Sequence, residues 1–84
     1  VVMGNGAPTN FGAVGGGYEG KEITVYFNDD DTTLYPDWTD SFGYGDARII
    51  GNGNVPRLMA AGDAVVLRYR AGLGWMIVSI IDAN

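Results

Sequence analysis

The acidic residues of this 84-residue sequence are the first candidates for chemistry. Asp29, Asp30 and Asp31 stand together, and Asp37 and Asp40 follow shortly after them. Ca²⁺ takes about six to eight oxygen ligands, which carboxylate-rich loops can supply. The spacing of an EF-hand, with its central Gly and closing bidentate Glu, is absent. Three adjacent acids are also typical of a solvated turn. We predict such a turn and no metal site, with Ca²⁺ held by Asp29, Asp30 and Asp31 as the alternative.

Paired carboxylates also suggest glycoside hydrolysis, in which two acids lie roughly 5–10 Å apart across the sugar. With eight Asp and two Glu in the sequence, some such pair is unavoidable. A domain this small offers little depth for a pocket that raises the pKa of a catalytic acid. The sequence contains no His and no Cys, so neither a Ser–His nor a Cys–His pair can form. We predict no catalytic residues, and a small polysaccharide-degrading enzyme is the least favoured hypothesis.

Aromatic residues are concentrated near the same acids. Exposed rings stack on sugar faces, and nearby carboxylates accept hydrogen bonds from sugar hydroxyl groups, so segment 35–46 has the composition of a glycan-binding surface. Burial of these rings against the core or a neighbouring subunit is the favoured alternative, because a small domain needs its aromatic residues for packing. The candidate glycan-binding residues are Tyr35, Asp37, Trp38, Asp40 and Tyr44.

Size restricts how the chain can be stabilised. At 84 residues, a single hydrophobic core is close to the lower limit of sufficiency. Without Cys or His, disulfides and the usual zinc sites are excluded. We therefore expect oligomerisation to supply the missing stability, and we predict no cofactor.

The charge balance restricts the partners. The net charge is −5, and only five basic residues are present. Because nucleic-acid affinity depends on Lys and Arg side chains at phosphates, we predict no nucleic-acid partner. No apolar run reaches the roughly 18 residues that a membrane span needs, so we expect no membrane insertion. No signal peptide is visible, and the Val-Val start without Met predicts a piece of a longer protein.

The clearest structural element is a hairpin near the end of the sequence. Two apolar, β-branched runs at 64–70 and 75–81 flank residues 71–74, whose two glycines suit the positive φ angles of a tight turn. A strand that is apolar on both faces must lie centrally or be covered by another chain, and the second run has this property. In that run, alternation predicts one face from Trp75, Ile77 and Ile81 and the opposite face from Met76, Val78 and Ile80.

The first half of the sequence contains a second strand pattern. Ile23, Val25 and Phe27 alternate with more polar residues and predict a strand at 22–27. The Asn and Asp residues that follow predict a turn, because their side chains bond to nearby backbone groups. A returning strand at 32–35 would complete a second hairpin.

The remaining elements are shorter. We predict a strand at 47–50, one helical turn within 55–61, and a glycine-rich arm at 1–20 that precedes an end domain at 21–84. The class is all-β. We expect the indole N–H of Trp75 to bond to a backbone carbonyl. The residues assigned to the core or to an interface between chains are Ile23, Val25, Phe27, Val66, Trp75, Met76, Val78 and Ile80.

The order of several stretches carries further information. Residues 16–27 read Gly-Gly-Tyr-Glu-Gly-Lys-Glu-Ile-Thr-Val-Tyr-Phe, and an Asp-Thr-Thr-Leu strand follows at 31–34. A short apolar strand at 47–50, a Gly-Asp turn into an apolar strand at 62–69, and a Trp that opens a hydrophobic run come next. This order resembles the C-terminal domains of bacteriophage tailspike and tail-fibre proteins, over most of the chain.

The resemblance implies a homotrimeric, small antiparallel β-sandwich of jelly-roll-like form that follows a right-handed β-helix stalk. It implies a trimerisation and capping domain in the tail of an extracellular virion that contributes to host-surface attachment. In such proteins a polysaccharide depolymerase activity resides in the upstream β-helix. Ile77 and Ile80 stand where the family often has Glu and Arg, which suits burial against partner chains. Segment 35–46 resembles an insertion, and recognition of bacterial surface polysaccharide there is the alternative function.

Overall fold

The computed structural model describes residues 2–4, 6, 8–37, 45 and 47–83, which form eight β-strands in two sheets. The strands are β1 (Val2–Met3), β2 (Thr9–Phe11), β3 (Glu22–Phe27), β4 (Thr32–Leu34), β5 (Ile49–Ile50), β6 (Arg57–Leu58), β7 (Ala64–Arg70) and β8 (Gly74–Ile81). A short 3₁₀ turn lies at Asn52–Asn54, and the described residues contain no α-helix. No helix among them is long and apolar enough to cross a membrane. The all-β prediction is confirmed.

The two sheets contain both parallel and antiparallel neighbours. The larger sheet has the strand order β1-β3-β7-β8-β5, and the smaller sheet has the order β2-β4-β6. β7 pairs antiparallel with β3 and β8, and β4 pairs antiparallel with β6. The pairs β1–β3, β2–β4 and β5–β8 are parallel, so both sheets are mixed and the predicted antiparallel arrangement is wrong for these three pairs. Parallel neighbours require long crossover connections, which leave no hairpin signal in the sequence.

The predicted hairpin of β7 and β8 is confirmed and forms the centre of the larger sheet. The amide of Leu73 donates to the carbonyl of Arg70 at 3.0 Å and closes the turn. Gly72 and Gly74 have φ angles of 81° and 136°, which a side chain would strain. A Cβ at Gly74 would also meet the carbonyl oxygen of Arg48, so the close approach of the β5 segment requires glycine there.

A β-bulge interrupts this hairpin and changes which residues of β8 face the core. Val66 pairs with Ser79 whereas Leu67 pairs with Ile77, so Val78 is an extra residue on β8. Beyond the bulge the alternation is shifted by one residue. Ile80 therefore packs against the core while Ile81 is exposed, and the assignment of these two side chains to the opposite faces is wrong.

The strand predicted at 32–35 exists as β4, but it does not form a hairpin with β3. The turn after β3 carries the chain from the larger sheet into the smaller one, where β4 pairs with β2 and β6. The side chains of Thr32 and Leu34 are fully buried between the sheets. Burial of this face against the larger sheet outweighs the local preference for returning alongside β3.

The helical turn predicted within 55–61 is also wrong. The segment instead contains β6, whose Leu58 pairs with Thr33 and whose Arg57 pairs with Leu34. The amide of Met59 donates to the carbonyl of Thr32 at 2.9 Å and extends this pairing. Residues 55–61 have no clear hydrophobic periodicity. Their conformation is determined instead by pairing with the backbone hydrogen-bonding groups of β4.

One hydrophobic core lies between the sheets. The indole N–H of Trp75 donates to the carbonyl of Val14 at 2.9 Å, as predicted, and its ring meets Tyr69 edge-on at 5.2 Å. The rings of Phe11 and Phe27 also meet edge-on, with centroids 6.2 Å apart. The completely buried hydrophobic side chains include Val25, Leu34, Ile49, Met59, Val65, Leu67 and Trp75.

The glycine-rich residues 1–20 contribute a strand to each sheet. β1 pairs with β3 and β2 pairs with β4, so this segment runs along both layers. The amide of Val14 donates to the carbonyl of Ala47 at 2.8 Å and joins the segment to β5. Gly17 lies directly on the ring of Tyr69, where a Cβ would overlap the aromatic carbons. Small residues in this segment therefore permit close backbone contact with the hairpin.

Candidate interaction surface

The outer face of the larger sheet, which points away from the core, is the most distinctive surface of the molecule. Its central part is built from alternate residues of β3, β7 and β8, whose register places them in three rows across the sheet. These rows are Tyr26–Ala64–Ile81, Thr24–Val66–Ser79 and Glu22–Arg68–Met76. The outer face is thus defined by directly paired positions on three neighbouring strands.

Large apolar side chains are exposed on this face. Tyr26, Val78 and Ile81 are 54%, 51% and 49% exposed, and Met76 is 37% exposed. Val66 lies between the first and last rows and is half-buried. Several large apolar side chains exposed on one face of a sheet are typical of an interaction surface. We refer to Tyr26, Val66, Met76, Val78 and Ile81 as the apolar patch.

The charges on the outer face balance one another. The guanidinium of Arg68 donates to one carboxylate oxygen of Glu22 through Nη2 at 2.7 Å and through Nε at 3.2 Å. Arg70, at the end of β7, pairs with Glu19 at 3.3 Å. The net charge of −5 therefore arises outside the described part of this face. Two copies of the face could approach each other without strong repulsion.

All basic side chains of the sequence already have an intramolecular partner. Each of the four arginines forms an ion pair, and the ammonium of Lys21 donates to the carbonyl of Gly16 at 3.1 Å. These pairs are Arg48–Asp37, Arg57–Asp82, Arg68–Glu22 and Arg70–Glu19. The arrangement offers no basic patch for an extended polyanion.

The residues assigned to the core or an interface divide between the two faces of the sheet. Val25, Phe27 and Trp75 lie in the core, and Ile23 and Ile80 pack against it. The other three, Val66, Met76 and Val78, belong to the outer face. Tyr26 and Ile81, which are also part of the apolar patch, were missing from the sequence-based set. The alternation along β3 could have identified Tyr26, whereas Ile81 depends on the bulge.

Within the candidate glycan-binding segment, the structure describes residues 35–37 and 45. Tyr35 is half-buried, and its amide donates to the carbonyl of Phe11 at 2.9 Å. The amide of Asp37 donates to the carbonyl of Ile49 at 2.8 Å, and its carboxylate lies 3.6 Å from Arg48. These contacts attach the start of the segment to the sandwich. The candidate residues Trp38, Asp40 and Tyr44 lie outside the described residues.

Within the acids at 29–31, the carboxylates of Asp29 and Asp30 accept hydrogen bonds from the backbone. The carboxylate of Asp29 accepts hydrogen bonds from the amides of Asp31 and Gly6 at 3.0 and 2.8 Å. Asp30 accepts one from the amide of Ala61 at 2.8 Å. Across the described residues, no group of three metal-ligating side chains converges. The predicted turn therefore holds distant segments together, and the geometry offers the Ca²⁺ hypothesis no support.

Asp63 is a structural carboxylate that the sequence signalled only as part of a Gly-Asp turn. It is 3% exposed, and it accepts hydrogen bonds from the amides of Ala83 and Ala60, each at 2.9 Å. These two bonds, with a smaller attraction from Arg57, hold the pKa of the carboxyl below its ordinary value of 3.8, although burial opposes them. The charged side chain thus fastens the end of β8 to the turn before β7.

Comparison with known proteins gave no identification. No family model matches the sequence, and neither a curated protein nor a solved structure shows significant similarity to it.

Proposed function

We propose that this chain is an assembly domain that associates with identical copies of itself through the outer face of the larger sheet. The observation that carries the proposal is the exposed apolar patch on a face whose charges are balanced. The excess negative charge, −5 in total, lies outside the described part of this face. The face is therefore suited to an uncharged, apolar partner surface. A second copy of the chain offers such a surface.

A contact of standard size would occupy a limited part of the surface of this chain. An interface of standard size buries about 800 Å² on each partner. The accessible surface of the chain is 4554 Å², so such a contact would occupy roughly a sixth of it. Association would also bury apolar area that a domain near the lower size limit cannot bury alone.

A trimer is the assembly that we propose, following the resemblance to tailspike and tail-fibre ends. Three sheets whose outer faces turn toward a three-fold axis form a triangular prism in which each face contacts both neighbours. A jelly-roll-like sandwich, a capping role at the end of a virion tail and a contribution to host attachment belong to the same proposal. In it the chain has no catalytic activity of its own.

Sedimentation equilibrium of the chain tests this proposal. We expect a trimer at micromolar concentration, and a monomer after Met76→Lys and Ile81→Lys are combined, because two desolvated ammonium groups oppose association. The matched control combines Leu58→Lys and Leu73→Lys, which are exposed apolar positions away from the outer face. The control should remain trimeric. A monomeric parent chain, or equal effects of both double variants, would contradict the proposal.

Recognition of bacterial surface polysaccharide by segment 35–46 is the second candidate function. Its support within the described residues is the exposed Asp37–Arg48 ion pair, whose side chains are 38% and 35% exposed, beside the aromatic segment. Titration with purified surface polysaccharide should show binding that Trp38→Ala abolishes while assembly is retained. Unchanged binding by that variant would exclude the segment as the site.

A further inference from the structure

The packing of the core does not require the bulge in β8. Val78 is the residue without a partner on β7, since Ser79 pairs with Val66 and Ile77 pairs with Leu67. Its side chain is 51% exposed on the outer face, so it adds nothing to the packing between the sheets.

If Val78 were deleted and the pairing of β8 with β7 were kept, every inward-facing residue of β8 would keep its position. The order Trp75, Met76, Ile77, Ser79, Ile80, Ile81 alternates regularly between the two faces. Without Val78 this order would place Trp75, Ile77 and Ile80 toward the core. The observed structure also has these three side chains at the core. An uninterrupted strand could therefore build the same interior, and the extra residue changes only the outer face.

The bulge lies where β8 loses its second neighbour. β5 pairs with β8 only at Trp75 and Met76, so within the described residues the strand from Ile77 onward is bordered by β7 alone. The turn after β5 remains close, since a Cβ at Gly51 would lie 3.3 Å from the amide nitrogen of Ile77. A bulge at this point bends the strand locally and turns Val78 outward beside Ser79.

We propose that Val78 is the specificity-determining contact of self-association, inserted into the outer face of a neighbouring copy, an inference that rests on the assembly proposed above. Its branched side chain has few rotamers, so burial costs little conformational entropy. It belongs to the apolar patch and lies next to Ser79, the partner of Val66. Contacts that become fully desolvated on association contribute most to affinity. The occupant is a second copy because the surrounding face is apolar and its described charges are balanced.

A protective role at the sheet edge is the competing explanation of the bulge. Bulges also prevent exposed strands from pairing with other chains. The two explanations make opposite predictions for a variant that lacks Val78. If the bulge protects the edge, its removal should increase association; if Val78 is an interface contact, its removal should weaken association.

The test measures association of the parent chain, the Val78 deletion and Val78→Ala by sedimentation equilibrium, with urea unfolding of each. At concentrations below self-association we expect the deletion to keep the unfolding midpoint of the parent chain, and at higher concentrations we expect it to lose association. We expect Val78→Ala, which keeps the bulge, to raise the dissociation constant about tenfold, because two methyl groups are lost from a buried contact. Val55→Ala is the matched control, since Val55 is exposed away from the outer face and should change nothing.

The outcomes separate the inference from the proposed function. Should the parent chain be monomeric, the proposed function fails and the inference fails with it. Should the parent chain assemble while Val78→Ala assembles equally well, only the inference is overturned. Stronger association of the deletion variant also overturns it and favours the protective role. If the deletion does not fold, Val78→Ala and Val55→Ala still decide the question.

Discussion

The two faces of the larger sheet both carry apolar residues, but the inner face is buried and the outer face is largely exposed. The inner face places Val65, Leu67 and Trp75 at full burial against the smaller sheet. The outer face carries Val66, Met76 and Val78, which are the immediate sequence neighbours of residues on the inner face, yet Met76 and Val78 are 37% and 51% exposed and Val66 is half-buried. The inner face stabilises the single molecule, whereas the outer face has apolar area that only another surface can bury. Hydrophobic content alone therefore does not distinguish a core from an interface.

The largest expected effect is the difference in the free energy of unfolding between substitutions on the inner and outer faces. Trp75→Ala should lower the free energy of unfolding by about 3–5 kcal/mol, because a fully buried ring and its hydrogen bond to Val14 are lost. Met76→Ala, the adjacent residue on the outer face, should lower it by less than about 1 kcal/mol. Urea unfolding at concentrations below self-association measures both. Equal losses would mean that the outer face is also part of the core of the single chain.

Acidification should weaken the contact that Asp63 makes between the end of β8 and the turn before β7. The pKa of Asp63 is lowered in the folded state, so its contribution to stability is present above the ordinary pKa of 3.8 and is lost as the pH falls through the lower folded value. Urea midpoints should therefore fall steeply below about pH 4.

The variant Asp63→Asn tests whether this residue accounts for the pH dependence. It removes the titrating group and should flatten the part of the profile that Asp63 contributes, while lowering stability at neutral pH. The control variant is Asp37→Asn, which alters a partly exposed ion pair and should change the free energy of unfolding at neutral pH by less than about 1 kcal/mol. A slope below pH 4 that is the same in Asp63→Asn and in the parent chain would contradict the assignment.

The smallest effect is expected for the ion pair on the outer face. Both partners of Glu22–Arg68 are about half exposed, so Arg68→Ala should change the free energy of unfolding by less than about 1 kcal/mol. A double-mutant cycle with Glu22→Ala should give a coupling energy of the same small size, which decreases with added salt. A much larger coupling would show that this corner of the face is less open than the single chain indicates.

The candidate sites were predicted from the sequence to different extents. The two apolar runs of the terminal hairpin were sufficient to place Val66, Met76 and Val78 on a face needing cover, because alternation has a period of two. Ile81 was assigned wrongly because one unpaired residue reverses the faces of all that follow. The roles of Asp29, Asp30 and Asp63 could not be predicted, since they bond to backbone amides distant in the sequence.

Composition and periodicity alone determined the all-β class, the β7–β8 hairpin and the burial of Trp75, because these depend on neighbours within a few residues. Only the tertiary structure decided the parallel pairings, the transfer of β4 to the second sheet and the position of the bulge. Each of these depends on hydrogen bonds and packing between segments that lie far apart along the chain, and local patterns carry no information about such partners.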